Sequence, residues 1–99
     1  MAVLYQELDC LITFVSVHQA IAAERILRSL ALRHAALPTP REISVSCGQC
    51  LALEQAKLSV ALEQLAKDKI SWSKIFTRDA VRRIYQEINA KGAEDDVDA

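Results

Sequence analysis

Glycine, proline and aromatic residues are scarce in this chain: its 99 residues include two Gly, two Pro, one Trp, two Tyr and two Phe. So few chain-breakers exclude a loop-built or low-complexity protein, and a 52% hydrophobic, 25% charged composition excludes a disordered one. Length allows one domain with one two-layer core. No apolar run approaches the ~20 residues of a bilayer span, and the first ten residues carry Glu7 and Asp9 but no basic start. Neither a membrane partner nor a secretory signal is expected. Charge of one sign is also missing. The net charge is −1, and Glu94, Asp95, Asp96 and Asp98 lie in the last six residues, which leaves +3 for the rest. That balance is too mild for a nucleic-acid footprint, and Arg82-Arg83 lacks the basic stripe or aromatic interleaving to supply one. Three cysteines, an odd count, argue against a disulfide framework and for a cytoplasmic chain with metal or reactive-thiol chemistry.

The pattern along the chain reads as β-α-β-β-α-β followed by a helix. Leu11 to Val15 forms a buried strand, and Ser16 or His18 stands where a helix cap belongs. From Gln19 to Leu32, Ala20, Ala23, Ile26, Leu27, Leu30 and Ala31 share one helical face. His34 to Leu37 is an edge strand stopped by Pro38. Ile43–Val45 and Leu51–Leu53 read as strand interrupted or bent at Cys47-Gly48-Gln49-Cys50, and Gln55 to Asp68 as a second helix. Ile70 to Phe76 is the fourth strand. Thr77 or Asp79 then caps a third helix from Ala80 to about Lys91, with Gly92 as its stop. The order predicts an α+β fold, a ferredoxin-like split βαβ sandwich (βαββαβ) with an added C-terminal helix. Its segments are an extension over 1–10, a domain over 11–78, the added helix over 79–91 and a disordered acidic tail over 92–99. Val81, Ile84, Tyr85 and Ile88 make the stripe of that last helix, over Ile70 or Trp72 of its own sheet or on a second copy. The short Thr77-Arg78-Asp79 link favours the second copy, a homodimer.

The most informative stretch is Pro38-Thr39-Pro40-Arg41-Glu42-Ile43-Ser44-Val45-Ser46-Cys47-Gly48-Gln49-Cys50. Two prolines stiffen its start at little entropic cost. A thiol acts as nucleophile or ligand only as thiolate, which a cation and hydrogen-bond donors favour. Arg41, Ser44 and Ser46 are candidates to bind and stabilise an anion at Cys47, and Gly48 permits close backbone approach. Cys50 leaves several chemistries open: a zinc half-site, a redox pair, a resolving thiol, or a small apolar filler. Cys10, His18 and His34 do not complete a four-ligand set at zinc spacing, so no metal is expected. A thioredoxin-type pair starts a helix, whereas Leu51-Ala52-Leu53 reads as strand. Cys10 and His34 have structural readings alone.

With Thr13-Phe14-Val15-Ser16-Val17-His18-Gln19-Ala20 and Ala23-Glu24-Arg25-Ile26-Leu27, the proline-arginine-cysteine stretch resembles the selenium/sulfur carrier-like family over roughly residues 11 to 76. The resemblance implies a non-catalytic carrier with no cofactor beyond sulfur or selenium held covalently on Cys47. It implies a donor enzyme and an acceptor protein as partners, and it places His18 in a first-strand turn as a candidate proton shuttle. Two features depart from the family: Cys50 stands where relatives have a small apolar residue, and the chain continues past the last strand. A thiol-disulfide or zinc-binding redox-sensing module, or a plain interaction domain, remains open beside the carrier.

Overall fold

A computed structural model describes residues 8–41, 43, 48–79 and 82–88. Their elements are β1 (Cys10–Thr13), α1 (Val17–Ser29), β2 (His34–Pro38), β3 (Gln49–Leu53), α2 (Leu58–Lys67), β4 (Ile75–Asp79) and β5 (Ile84–Ile88), with a 3-10 turn at Gln55–Lys57 before α2. The fold is α+β. One five-stranded sheet in the order β2-β3-β1-β4-β5 is antiparallel at every pairing. The helical connections each pass over one strand: α1 joins β1 to β2 across β3, and α2 joins β3 to β4 across β1.

Local chemistry explains the helices. Ser16, in extended backbone, starts α1, and its hydroxyl accepts the Gln19 N–H at 3.3 Å. Ala20, Ala23 and Leu27 bury the inner face of α1; Leu58, Ala61, Leu62 and Leu65 do so for α2. Both stripes join Cys10, Ile12, Phe14, Leu51 and Leu53 in the main core, on one face of the sheet. The helices end alike. Leu32 N–H donates to Leu27 O at 3.1 Å and Ala31 N–H to Arg28 O at 3.0 Å; Ile70 N–H donates to Leu65 O at 2.9 Å and Lys69 N–H to Ala66 O at 3.0 Å. This six-to-one, five-to-two pattern puts Ala31 (φ 57°) and Lys69 (φ 60°) in the left-handed region that glycine favours. Beside the α1 end, Glu24 clips helix to sheet. Its carboxylate meets Arg28 Nη2 at 2.6 Å and His34 Nε2 at 2.9 Å, while His34 Nδ1 faces the Leu32 carbonyl at 2.7 Å. The hydrogen bond with His34, then that from Arg28, holds the Glu24 carboxyl below its ordinary value. That contribution is present above the ordinary carboxylate range and fades as pH falls below it.

The C-terminal helix expected over 79–91 is not formed by the described residues there. Residues 84–88 are β5, paired antiparallel with β4 from Asp79↔Ile84 to Ile75↔Ile88. The cap signal at Asp79 was real but local. Asp79 Oδ1 accepts the Arg82 N–H at 3.1 Å, and its carbonyl accepts the Arg83 N–H at 2.8 Å. These two bonds tie Arg82 and Arg83 (φ 59°) back to Asp79 in the connection between β4 and β5. The apolar stripe then divides between faces: Ile88 packs on the main core, Tyr85 on the opposite face, and Ile84 is 54% exposed. Ile84, Tyr85 and Ile88, on which a homodimer was expected to pack, therefore do not share one helical face.

Nor is the face opposite the helices bare. Leu8, Leu11, Cys50, Ala52 and Phe76 form a second buried cluster there, joined by Ala35, Leu37, Ile43 and Tyr85. The fourth strand, expected over Ile70 to Phe76, begins only at Ile75. Ile70 and Trp72 pack in the main core with the helices rather than beneath a third one. The backbone between them and β4 bonds locally, Ser71 N–H to Gln19 Oε1 at 3.1 Å and Ser73 N–H to Thr13 O at 2.7 Å.

Glycine is absent where both helices need a left-handed residue, and this generates a prediction. A Cβ in that region costs about 1–2 kcal/mol, offset in part by the extra freedom glycine brings to the unfolded chain. Lys69→Gly, at an exposed position, should therefore raise stability by about 0.5–1 kcal/mol and the Tm by roughly 2–8 °C. A lowered Tm in a thermal melt would contradict the assigned helix end.

Candidate functional site

The cysteine-bearing stretch is the connection between β2 and β3. Pro38 and Pro40 have no N–H, so Thr39 holds the only backbone donor in the 38–40 run, and it bonds to Gly48 O at 3.2 Å. This bond extends the ladder one step past Pro38↔Gln49 and forms a neck. Beyond it, Ile43 N–H donates to Pro40 O at 3.0 Å, and Ile43 packs against the second cluster. Ile43 and Gly48 are thus fixed points on either side of 44–47. Ser44, Ser46 and Cys47 lie outside the described residues.

Register decides the surroundings of Cys50. It stands opposite Thr13 and Leu37 inside β3, fully buried on the face away from the helices. The strand expected from Leu51 begins earlier, at Gln49, and runs through Cys50; what was expected of Ser44 to Cys47 lies outside the described residues. Cys10 is equally buried but on the helix face. Burial, reinforced by the adjacent Asp9 carboxylate, pushes the Cys10 thiol up from 9.0 to about 12. Its thiolate is absent at neutral pH.

Gly48 is exposed, and nothing lies within 4 Å of a Cβ placed there. Close approach at Gly48 is therefore not by this chain's own described backbone; open space is what the position offers. Arg41 is exposed on the loop and His18 on the first turn of α1. Topology brings these together coarsely: β1 runs toward Thr13, which stands opposite Cys50, so the β1–α1 turn and the β2–β3 loop leave the same end of the sheet. That end also exposes Val15 (72%), Val17 and Ile21. Nearby, a cleft of about 280 Å³ lies between α1 and the β2–β3 pair, reaching from Glu24 to Gln49. Among the described residues no three His, Cys, Asp or Glu gather as a metal site, and no helix is long and apolar enough to cross a membrane.

Sequence reading missed Thr39 and Ile43. The signal for Thr39 was there, a hydroxyl between two prolines, but its burial depends on tertiary packing. Thr39 Oγ1 is buried without a hydrogen-bond partner.

The family model described as "Putative Se/S carrier protein-like" matches residues 9–77. No curated protein and no solved structure matches the chain.

Burial of Cys10 makes two predictions. In the folded chain Cys10 and Cys50 should resist alkylation, reacting only as fast as the protein opens; a fast label on either in peptide-mapped mass spectrometry would contradict the sheet register. The second concerns pH. Because the folded-state value is raised, Cys10 contributes stability that is whole below about 9 and is lost as pH rises toward about 12. The loss approaches ~1.4 kcal/mol per pH unit in that window. Denaturation of Cys10→Ala from pH 8 to 11 should show a shallower alkaline decline than wild type, from a lower starting stability; parallel declines would refute the assignment.

Proposed function

The chain belongs to the Se/S carrier-like family, and from that premise we propose that it is a sulfur or selenium carrier loaded on Cys47. The observation that carries this reading is the neck between Thr39 and Gly48, which holds the connection bearing Cys47 on a rigid sheet while Cys10 and Cys50 are buried in it. The proposed frame is a ferredoxin-like split βαβ, in which β2-β3-β1-β4 is the defining strand order and β5 an added edge.

Loading is a thiol exchange that leaves the redox balance unchanged. The Cys47 thiolate attacks the terminal sulfur of a persulfide on a donor enzyme such as a cysteine desulfurase. The donor's S–S bond breaks, its own sulfur leaves as thiolate, and Cys47 holds the sulfane sulfur with its proton. Delivery is the same step with an acceptor protein's thiolate attacking and Cys47 leaving. Selenium follows the same course as a selenenylsulfide. Arg41, Ser44 and Ser46 favour the anion at each stage, Gly48 leaves room for the partner, and His18 manages a proton at the same end of the sheet. The exposed Val15, Val17 and Ile21 give the partner an apolar footing. This chemistry needs no metal and no resident cofactor, makes the protein a carrier rather than an enzyme, and suits a reducing cytoplasm.

Full burial of Cys50 supports its role as a packing residue rather than a resolving thiol or half of a zinc site. Incubation with a cysteine desulfurase and cysteine, followed by mass spectrometry, tests the carrier reading. A gain of one sulfur on Cys47, lost in Cys47→Ser and kept in Cys50→Ser, is expected. Unloaded thiols with bound zinc, or a Cys47–Cys50 disulfide in place of the persulfide, would overturn it. Loading should also fall several-fold in Arg41→Gln with no change in melting, since that side chain is exposed on a loop.

A further inference from the structure

Among the described residues β2 ends the sheet, with β3 on one side and no strand on the other. The neck bond shows which backbone groups that edge offers. Thr39 N–H donates to Gly48 O one step beyond Pro38↔Gln49, so Thr39 and Gly48 are a hydrogen-bonded pair. Bonded and non-bonded pairs alternate along an antiparallel ladder. Leu37↔Cys50 and Ala35↔Ala52 therefore bond as well, while His34, Ala36 and Pro38 turn their backbone groups outward. Pro38 agrees with this phase, since a residue without an N–H suits a place where that N–H would face out. Ala36 presents one N–H and one carbonyl to whatever lies beside the strand.

The cleft of about 280 Å³ opens at the same residue. Ala36 is exposed, stands opposite Leu51 and so lies on the helix face, and lines the cleft with Ala20, Ile21 and Leu51. Because α1 passes over β3 rather than β2, the small side chains of Ala20 and Ala36 leave the space between helix and edge unfilled. Glu24 and Arg28 at one end of the cleft do not call for an ion. The Glu24 oxygens are engaged, one by Arg28 at 2.6 Å and the other with His34 at 2.9 Å. What the cleft lacks is apolar bulk.

An outward-facing strand edge and an apolar cleft at one residue suit extended polypeptide. In antiparallel pairing, as at every ladder of this sheet, the residue opposite Ala36 exchanges both backbone bonds with it. Its side chain then stands on the face of Ala36, over the cleft. A second copy does not supply that side chain. Paired on itself about Ala36, β2 sets alanine against alanine and His34 against Pro38, and the cleft stays open.

We propose that β2 receives an extended segment of a partner protein as an added edge strand, with a large apolar side chain of that segment seated between Ala36 and α1. Such docking goes beyond the carrier reading and needs nothing of Cys47. The two are related by place alone, since β2 ends at Pro38, where the cysteine connection starts.

The test is nuclear magnetic resonance on the isotope-labelled full chain, by amide exchange and by titration with capped peptides of about seven residues. The peptides are serine and threonine throughout, with leucine, glycine or N-methyl-leucine at the centre. In the free chain the Ala36 amide should exchange much faster than those of Ala35 and Leu37. The leucine peptide should shift the Ala36 resonance saturably and slow its exchange. The glycine peptide, lacking the apolar side chain, and the N-methyl peptide, lacking the central donor, should each bind about tenfold more weakly or worse. Ala36→Leu fills the cleft with the chain's own side chain, and should weaken the leucine peptide about tenfold while melting no lower than wild type. A slow Ala36 amide in the free chain overturns the proposal, because the chain itself or a second copy would already hold the edge. So does a leucine peptide that causes no saturable shift at Ala36 up to millimolar concentration. Equal binding of the glycine or N-methyl peptide, or unchanged binding to Ala36→Leu, overturns it too. None of these readouts involves sulfur, so a chain that fails to load on Cys47 can still pass, and one that loads can still fail.

Discussion

The hydrogen bond from Thr39 N–H to Gly48 O is where sheet becomes site. Prolines on both sides of Thr39 remove every other backbone donor from that stretch, so the ladder closes there or fails to close. Everything inward of it follows the β2–β3 register, which sets Leu37 against Cys50 and Ala35 against Ala52 on one face. A slip of one residue would exchange the faces of β3, turning Leu51 and Leu53 out of the main core and Cys50 into it. The core prevents that slip, because Leu51 and Leu53 pack with both helices. Core packing therefore fixes the register, and the register fixes the place at which the cysteine connection leaves the frame.

The same register sorts the thiols. Cys10 and Cys50 sit on strands that pair with each other, yet they belong to opposite faces and separate clusters. Both are packing residues by environment, and Cys10 is held protonated by burial. Cys47 lies in sequence between Ile43 and Gly48, in the connection that the neck closes. A protein that handles sulfur on one cysteine benefits from such separation, since a second accessible thiol would discharge a persulfide as a disulfide.

Much of this was legible in the sequence, and the exceptions have physical causes. Ser16 as a helix cap, the Ala20–Ala23–Leu27 stripe, and β2 as an edge strand ending at Pro38 all follow from local chemistry. The third helix did not survive at 84–88 because the bonds from Arg82 and Arg83 to Asp79, of the kind that would begin a helix, here lead into a strand. No glycine or asparagine marks that hairpin; Arg83 takes the left-handed position instead. The edge of β4 then captured Ile84 to Ile88, as tertiary pairing overrides a helical period. In the site, the loop, its glycine and its arginine could be read directly. Thr39 could not, since an orphaned hydroxyl is a property of packing, and no pattern of residue types reveals it.

The central claim is that Cys47 alone carries the chalcogen and gives it up intact. The most direct measurement follows a heavy-isotope persulfide on Cys47 as it meets a small-molecule thiol acceptor, with every cysteine of the chain assigned by mass spectrometry. The account predicts that the label leaves as sulfane sulfur on the acceptor while Cys47 returns to the thiol and Cys50 is unchanged. Label released as sulfide, with a Cys47–Cys50 disulfide left behind, would contradict it.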